Sequence, residues 1–549
     1  MPRHWLKLSR AALAIAVLAL ATAAFVDFRG SVPTRLGHAL ASVQFVPAAL
    51  ALATGASATL AAAAILVATL AIGRIYCSVL CPLGLLQDAV ARLAGWLRRK
   101  PLLLRFARPA TWVRQLFLWS TVAGIAAGWS GLTLALLDPY SIFGRIGSML
   151  FRPLVTVVNN WLVGPANAAG IDALYRVPPQ WAAVGALALP AALALLIAIL
   201  AASRGRLYCN SICPVGTLLG LLSARSAWRL EIDRALCRKC GDCLRVCKAQ
   251  CIDLRTATID HSRCVACYNC IGACDELGIH HRFKWRPEGG HRKPETGCQQ
   301  PAAPATPATV VKNLASQTTP PPDASRRAFI TGTAAALTAA AGASVAAAVG
   351  LADKSPPTLP VASGPVCPPG SGGVARFLDR CTACQLCVSA CPTHVLQPAF
   401  LHYGWSGVMK PRLDFNLSFC NFECHRCAEV CPDGAILPMD LAEKKRTRLG
   451  LAHIDYEKCV VKANGTDCAA CSEHCPTQAV STEPYGNNLR LPRMHDELCI
   501  GCGACEYACP VRPTRAITVK ADSVHSKAAL KIEAPAAAPT PAPGEEFPF

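Results

Sequence analysis

All but Cys251, Cys298 and Cys367 of the 31 cysteines stand in short runs whose spacing suits metal ligation. Cys237, Cys240, Cys243 and Cys247, then Cys264, Cys267, Cys270 and Cys274, follow the pattern C-x2-C-x2-C-x3-C. In that pattern three close thiolates wrap one face of a [4Fe-4S] cube, and the fourth commonly ligates the neighbouring cube. One centre is therefore expected from Cys237, Cys240, Cys243 and Cys274, and a second from Cys264, Cys267, Cys270 and Cys247. Cys247 is preferred to nearby Cys251 because only Cys247 keeps the x3 spacing, although the proline that usually follows the fourth cysteine is replaced by Lys248 and by Asp275. Zinc needs four ligands, not two such runs.

Four more runs follow, each ending in Cys-Pro: Cys381, Cys384, Cys387 and Cys391; Cys420, Cys424, Cys427 and Cys431; Cys459, Cys468, Cys471 and Cys475; Cys499, Cys502, Cys505 and Cys509. Their starts lie 39, 39 and 40 residues apart, the period of a repeated unit of a short strand pair and a helix. The second run is widened to C-x3-C and the third to C-x8-C, which lengthens a loop and removes no ligand. Two pairings are open: adjacent runs, or the first with the fourth and the second with the third. With the two earlier centres this makes six [4Fe-4S] clusters. A disulfide framework would not require such regularity.

The remaining cysteines of chemical interest belong to a duplication. Gly73-Arg74-Ile75-Tyr76-Cys77-x3-Cys81-Pro82 recurs 132 residues later as Gly205-Arg206-Leu207-Tyr208-Cys209-x3-Cys213-Pro214. If each segment is helical, the i,i+4 spacing puts both sulfurs on one face. Cys77, Cys81, Cys209 and Cys213 then converge across a pseudo-twofold axis. They open a further site, as a shared metal or Fe-S centre or as a dithiol relay near a quinone pocket; the bland reading is small residues that help helices pack. Repetition of the attached Gly-Arg-x-Tyr and Pro favours a functional role.

These residues need a scaffold, and the first 230 residues supply an apolar one. Stretches at Ala11–Val26 with its flanks, Phe45–Ile72, Trp112–Leu137 and Trp181–Ala202 are long enough to cross about 30 Å of hydrocarbon as helices. Arg3, Lys7 and Arg10 precede the first, while Arg74, Arg92, Arg98, Arg99, Lys100, Arg105 and Arg108 follow the second, so both ends of the module face the cytoplasm. The loops near 27–44 and 138–180 fall outside. A net charge of +20 is explained by this orientation rather than by nucleic acid. Asp27, Arg29, His38, Asp138 and Tyr140 lie near the outer face, and Asp138 is the first candidate there for accepting a proton.

The expected order is a four-span membrane module at 1–230, a cytoplasmic ferredoxin at 231–285, and a Pro/Ala/Thr/Gln-rich linker at 286–324. An export signal or fifth span follows at 325–352, then an exported ferredoxin-type domain at 353–532 and a Pro/Ala-rich tail at 533–549. Ser325-Arg326-Arg327-Ala328-Phe329-Ile330, followed by an Ala/Gly/Thr-rich run, has the form of a twin-arginine signal, which exports proteins already folded. Folded export suits clusters that are inserted in the cytoplasm. The fold class is thus an α-helical membrane module joined to α+β bacterial-ferredoxin-type domains. On this layout two clusters and both Cys-x3-Cys motifs lie on the cytoplasmic side and four clusters lie outside, with no cysteine midway.

Four spans, two Cys-x3-Cys-Pro motifs and a two-cluster ferredoxin resemble the NapH-type membrane quinol dehydrogenase subunits. The exported part resembles the NapG-type ferredoxins, and MauN and MauM share these layouts. The resemblance implies a single-chain fusion in the bacterial inner membrane that takes electrons from quinol, for whose protons Asp138, by its place at the end of the third span, is the candidate acceptor. It implies transfer through the clusters to a periplasmic reductase of the nitrate or nitrous oxide type, or to a c-type cytochrome. Implied partners are lipid, the quinone pool and the twin-arginine export machinery. The rival reading is a membrane polyferredoxin that matures or regulates a respiratory metalloenzyme, since such proteins also carry Cys-x3-Cys-Pro.

Overall fold

Long runs of Leu, Ala, Val and Ile with few charges satisfy their own backbone as helices, and helices fill the first part of the computed structural model. It describes residues 5–51, 59–99, 106–127, 129–170, 172, 174–283 and 364–529. The helical part comprises α1 (Trp5–Val26), α2 (Thr34–Ser42), α3 (Phe45–Ala51), α4 (Thr59–Ile72), α5 (Ile75–Val79), α6 (Pro82–Leu97), α7 (Thr111–Ala126), α8 (Ser130–Leu137), α9 (Pro139–Ile146), α10 (Arg152–Ala168), α11 (Val184–Arg204), α12 (Leu207–Ser211) and α13 (Pro214–Ser223). The linker at 286–324, the Arg326-Arg327 segment, Cys298 and the tail after residue 529 lie outside the described residues.

Among the described residues three helices are long and apolar enough to cross a membrane: Trp5–Val26, Pro139–Ala168 and Val184–Arg204. The first and last fall on expected spans. Within the second expected span the described residues form α3 and α4, and the third breaks between α7 and α8, where the Trp129 amide turns back to the Gly124 carbonyl at 2.8 Å. The helix over 139–168 was expected to be an outer loop. Arg145, Arg152, Asn159 and Asn160 dilute its hydropathy, but the protein itself covers 61% of its most apolar window. Buried Arg145 donates from Nε to the Ser141 carbonyl at 3.2 Å, so its charge is accommodated within the fold.

The duplicated segments adopt one local design twice. Gly73 (φ +95°) and Gly205 (φ +67°) sit just past α4 and α11 in the left-handed region that ends helices and turns the chain back. A short helix follows, then an extended Cys81 or Cys213, then a helix opened by Pro82 or Pro214. Proline at the first helical position lacks only an N–H that would have been unpaired. Each cysteine pair is therefore split between two helices, and the single-helix i,i+4 expectation does not hold.

The first cysteine-rich domain is built on β1 (Trp228–Ile232), which pairs antiparallel with β4 (Ile279–Phe283), and on the hairpin of β2 (Ile252–Asp253) and β3 (Thr258–Ile259). The second uses β5 (Leu396–Pro398) with β6 (Pro411–Leu413), β7 (Thr447–Ile454) with β10 (Ile517–Lys527), and β8 (Val480–Tyr485) with β9 (Leu489–Met494), all antiparallel. A single compact unit contains the helices and both domains.

The two domains attach to opposite ends of α11. At the start of α11, a Cβ on Gly185 would contact the Phe400 ring at 3.3 Å; at its end, the Arg206 amide donates to the Lys248 carbonyl at 3.2 Å. Twenty-one residues at about 1.5 Å each separate these contacts by about 30 Å. The second domain also meets the last turn of α1, where Ser389 Oγ donates to the Phe25 carbonyl at 3.1 Å, and the first domain meets the first turn of α7, where Arg114 Nη1 donates to Ser262 Oγ at 3.2 Å.

Candidate metal centres

In the first domain, Cys237, Cys240 and Cys243 line a cavity of about 160 Å³ together with Cys274. Left-handed backbone at Lys239 and Gly241 lets three consecutive thiols curl inward. Burial and the crowding of Cys240, Cys237 and Cys274 push the Cys243 thiol up to about 11. A buried thiol that resists ionising is what iron relieves, because it binds the thiolate and displaces the proton. Cys264, Cys267 and Cys247 lie within electrostatic reach of Cys270, which gives the second foursome. Buried Cys251 lies beside it, its sulfur 3.6 Å from that of Cys247 and within hydrogen-bonding reach of Cys264.

In the second domain adjacent runs come together. Cys459, Cys468 and Cys471 share a cavity with Cys509, and Cys499, Cys502 and Cys505 share another with Cys475. Cys431 approaches Cys381, Cys384 and Cys387, while Cys391 approaches Cys420 and Cys427. Burial pushes the Cys381 and Cys471 thiols up to about 12. Sulfurs here also receive backbone N–H groups, from Ala383 to Cys381 at 3.4 Å and from Ile436 to Cys431 at 3.3 Å. Such donors favour thiolate and tune a bound cluster. The Cys420 amide donates to the Cys502 carbonyl at 2.9 Å, so the second foursome adjoins the fourth and the halves of the domain are continuous.

The duplicated motifs meet in the buried core, where Cys77, Cys81, Cys209 and Cys213 are each 3 or 4% exposed. Their charges would interact with one another. The two copies exchange arginines. Arg74 donates to Asn210 Oδ1 at 2.9 Å and to the Cys209 carbonyl at 3.2 Å; Arg206 donates to the Cys77 carbonyl and forms a fork on Asp88 at 2.9 and 2.7 Å. Lys248 of the first cysteine-rich domain binds the same carboxylate at 2.7 Å. Burial would raise the Asp88 carboxyl, but Arg206 and Lys248 outweigh it and hold the group well below the usual carboxylate range.

Gly84 and Gly216 make this exchange sterically feasible. A Cβ on Gly84 would stand 2.6 Å from the Cys77 carbonyl oxygen and 3.1 Å from Arg206 Nη1; on Gly216, 2.2 Å from the Cys209 oxygen and 2.8 Å from Arg74 Nη2. Both glycines lie eleven residues beyond the first glycine of their repeat, a regularity readable in the sequence. Gln87, Asp88 and Asn210 also escaped the sequence reading, because they interact across 118 to 136 residues.

Asp138 caps α9. Its carboxylate accepts from the Tyr140 amide at 3.3 Å, the Ser141 amide at 2.8 Å and Ser141 Oγ at 2.6 Å. It is buried and lies within electrostatic reach of both Tyr76 and Tyr208 of the duplicated motif. Tyr140 and Arg145, on the same helix, lie within reach of Cys384 in the second domain. These groups thus lie between the duplicated cysteines and the first foursome of the second domain, and the cysteines are less widely separated than the sequence suggested. Asp27 binds the Arg29 and Val32 amides at 2.9 and 2.6 Å; with Arg152 and His394 it lines a cavity of about 160 Å³ that also contacts Cys391 and Pro392.

Family models agree with this geometry. A model described as a 4Fe-4S binding domain matches residues 54–102 and 186–232, the two duplicated hairpins. Two models described as 4Fe-4S dicluster domains match 380–436 and 466–513, which follows the pairing of adjacent runs. The chain is 30% identical over 150 residues to the ferredoxin-type protein NapF of Escherichia coli K12, covering 27% of this chain and 83% of that protein. It is 34% identical over 151 residues to the ferredoxin-type protein NapG of the same organism, covering 26% and 64%. The methylamine utilization ferredoxin-type protein MauM of Paracoccus denitrificans is 31% identical over 160 residues, covering 27% and 69%. No solved structure matches the chain. A NapH-like first half is not among these findings.

Proposed function

Because the chain belongs to the family of ferredoxin-type [4Fe-4S] electron-transfer proteins that includes NapF, we propose that it is a membrane quinol dehydrogenase passing electrons to a periplasmic reductase or c-type cytochrome. The observation that carries this reading is the attachment of two cysteine-rich domains to opposite ends of one apolar helix about 30 Å long. A protein of this form suits the inner membrane, with residues 231–285 on the cytoplasmic side and 353–532 exported behind the Arg326-Arg327 signal. Six clusters are held by the 24 cysteines of the six runs. When bound, they supply one-electron transfer at potentials set by burial and by hydrogen bonds to sulfur.

The cavity beside Cys391 suits the quinol head group. Arg152 donates to a quinol oxygen, His394, which burial and Arg152 keep neutral, accepts a hydrogen bond from a quinol hydroxyl through a buried Nδ1 without a partner among the described residues, and Asp27 offsets the guanidinium charge. Asp138, its oxygens taken by the α9 cap, orients that helix rather than receiving a proton. Purified full-length protein mixed anaerobically with a short-chain quinol tests this. Loss of the visible iron-sulfur absorbance is expected, and no bleaching by any ubiquinol or menaquinol analogue would refute it.

A further inference from the structure

We infer that Cys77, Cys81, Cys209 and Cys213 together hold one further [4Fe-4S] cluster, shared between the two repeats in the interior of the helical module. The first ground is a count. Each segment matched by the 4Fe-4S binding-domain model contains two cysteines, Cys77 and Cys81 in 54–102, and Cys209 and Cys213 in 186–232. A cube needs four protein ligands, so neither segment suffices alone and the pair suffices once.

The second ground is convergence. All four thiols are buried in the same core and lie within reach of one another, although they come from positions 132 residues apart. Among the described residues no three His, Cys, Asp or Glu side chains close on a single metal ion, here or in the ferredoxin foursomes. A zinc ion would require that closeness, whereas a cube occupies the space between its ligands.

The third ground is the treatment of the sulfurs. Gln87 Nε2 donates to Cys209 Sγ at 3.2 Å, the Gly216 amide to Cys213 Sγ at 3.3 Å, and Arg74 Nη2 to Cys77 Sγ at 3.7 Å. The Gly84 amide stands in the same relation to Cys81 as Gly216 does to Cys213. Ala383 and Ile436 serve ligand cysteines of the second domain in the same way.

The fourth ground is charge. Arg74 is fully buried, yet no carboxylate among the described residues pairs with it. Arg206 and Lys248 share the carboxylate of Asp88. An unbalanced buried cation is costly, and a cube held by four thiolates is the anion that would balance it. Packing residues would need neither the donors nor the cations. The site lies between Cys264, which Arg74 reaches, and Asp138, the cap of α9, whose Arg145 lies within reach of Cys384.

The test is independent of the quinol reading. Full-length protein is purified anaerobically, and its iron, acid-labile sulfide and dithionite-reduced EPR spectrum are compared with those of the Cys77→Ser/Cys213→Ser variant. A loss of four irons and four sulfides per chain is expected, with the spectra of the ferredoxin clusters retained. Unchanged iron and sulfide would overturn the proposal. Should the double variant fail to accumulate, Cys213→Ser alone keeps a side-chain acceptor for the Gly216 amide. It either loses the same four irons or shows an altered EPR component from serine ligation, and an unaltered spectrum with full iron overturns the proposal.

Discussion

Arg74 of the first repeat donates to the carbonyl oxygen of Cys209 in the second at 3.2 Å, and Arg206 returns the contact to the carbonyl of Cys77. The exchange makes the two hairpins one unit. Its second half depends on Asp88, which accepts both Arg206 and Lys248. Replacing Arg206 by methionine leaves a buried carboxylate short of a partner, at a cost of about 3–5 kcal/mol. Thermal unfolding in detergent should show this as a clear drop in midpoint. The double variant Arg206→Met/Asp88→Leu should recover part of it, since it removes the buried carboxylate along with its partner; equal midpoints for wild type and Arg206→Met would contradict the role given to the pair.

The glycines that admit these arginines give a sharper steric prediction. Gly216→Ala places a Cβ 2.2 Å from the Cys209 carbonyl oxygen, and Gly84→Ala one 2.6 Å from that of Cys77. Each should cost about 1–3 kcal/mol, as overpacking of a filled core does. Gly164→Ala, whose Cβ meets nothing within 4 Å in the interior of α10, should be neutral or stabilising by up to about 1 kcal/mol. The same unfolding measurement separates the three.

Contact between α9 and the second domain should control the rate at which electrons reach that domain. A Cβ on Gly144 would stand 2.1 Å from the Cys384 carbonyl oxygen and 2.8 Å from the Phe25 ring. Gly144→Val should therefore part the domain from the helices and slow bleaching of its clusters by quinol at least tenfold in stopped flow. Iron content and the EPR spectrum should stay as in wild type.

Iron removal should expose a dependence on alkaline pH. Burial raises the Cys381 and Cys471 thiols from an ordinary 9.0 to about 12 in the folded, iron-free domain. Groups raised in this way stabilise the fold fully below their unfolded value and lose that contribution as pH rises through the folded one. Chelated protein should hold its structure below about pH 9 and unfold its cysteine-rich domains between about pH 9 and 12. Iron-loaded protein, its thiolates already ionised, should show no such transition in circular dichroism.

Much of the site was legible because cluster ligation is local. Three cysteines of each foursome stand within a dozen residues, and Cys247 and Cys274 followed from the crossed pattern. The pairing of Cys431 with the first run and Cys391 with the second was not, because both pairings use the same spacing and only strand pairing decides. Helices α9 and α10 were hidden by Arg145 and Arg152, whose charges lower the hydropathy although the fold buries the first and half-buries the second. The Cys-x3-Cys pairs were assigned to single helices because an i,i+4 spacing carries no sign of the break that Leu80-Cys81 and Ile212-Cys213 introduce.

The most direct measurement places the full-length protein in sealed liposomes with quinol in the bilayer and a membrane-impermeant electron acceptor on one side only. The account predicts reduction of the acceptor when it shares the side of residues 364–529, with the iron-sulfur absorbance bleaching first. Protease accessibility of that domain gives the orientation. Quinol oxidation that never reaches the acceptor on that side, or acceptor reduction equally fast without quinol, would contradict it.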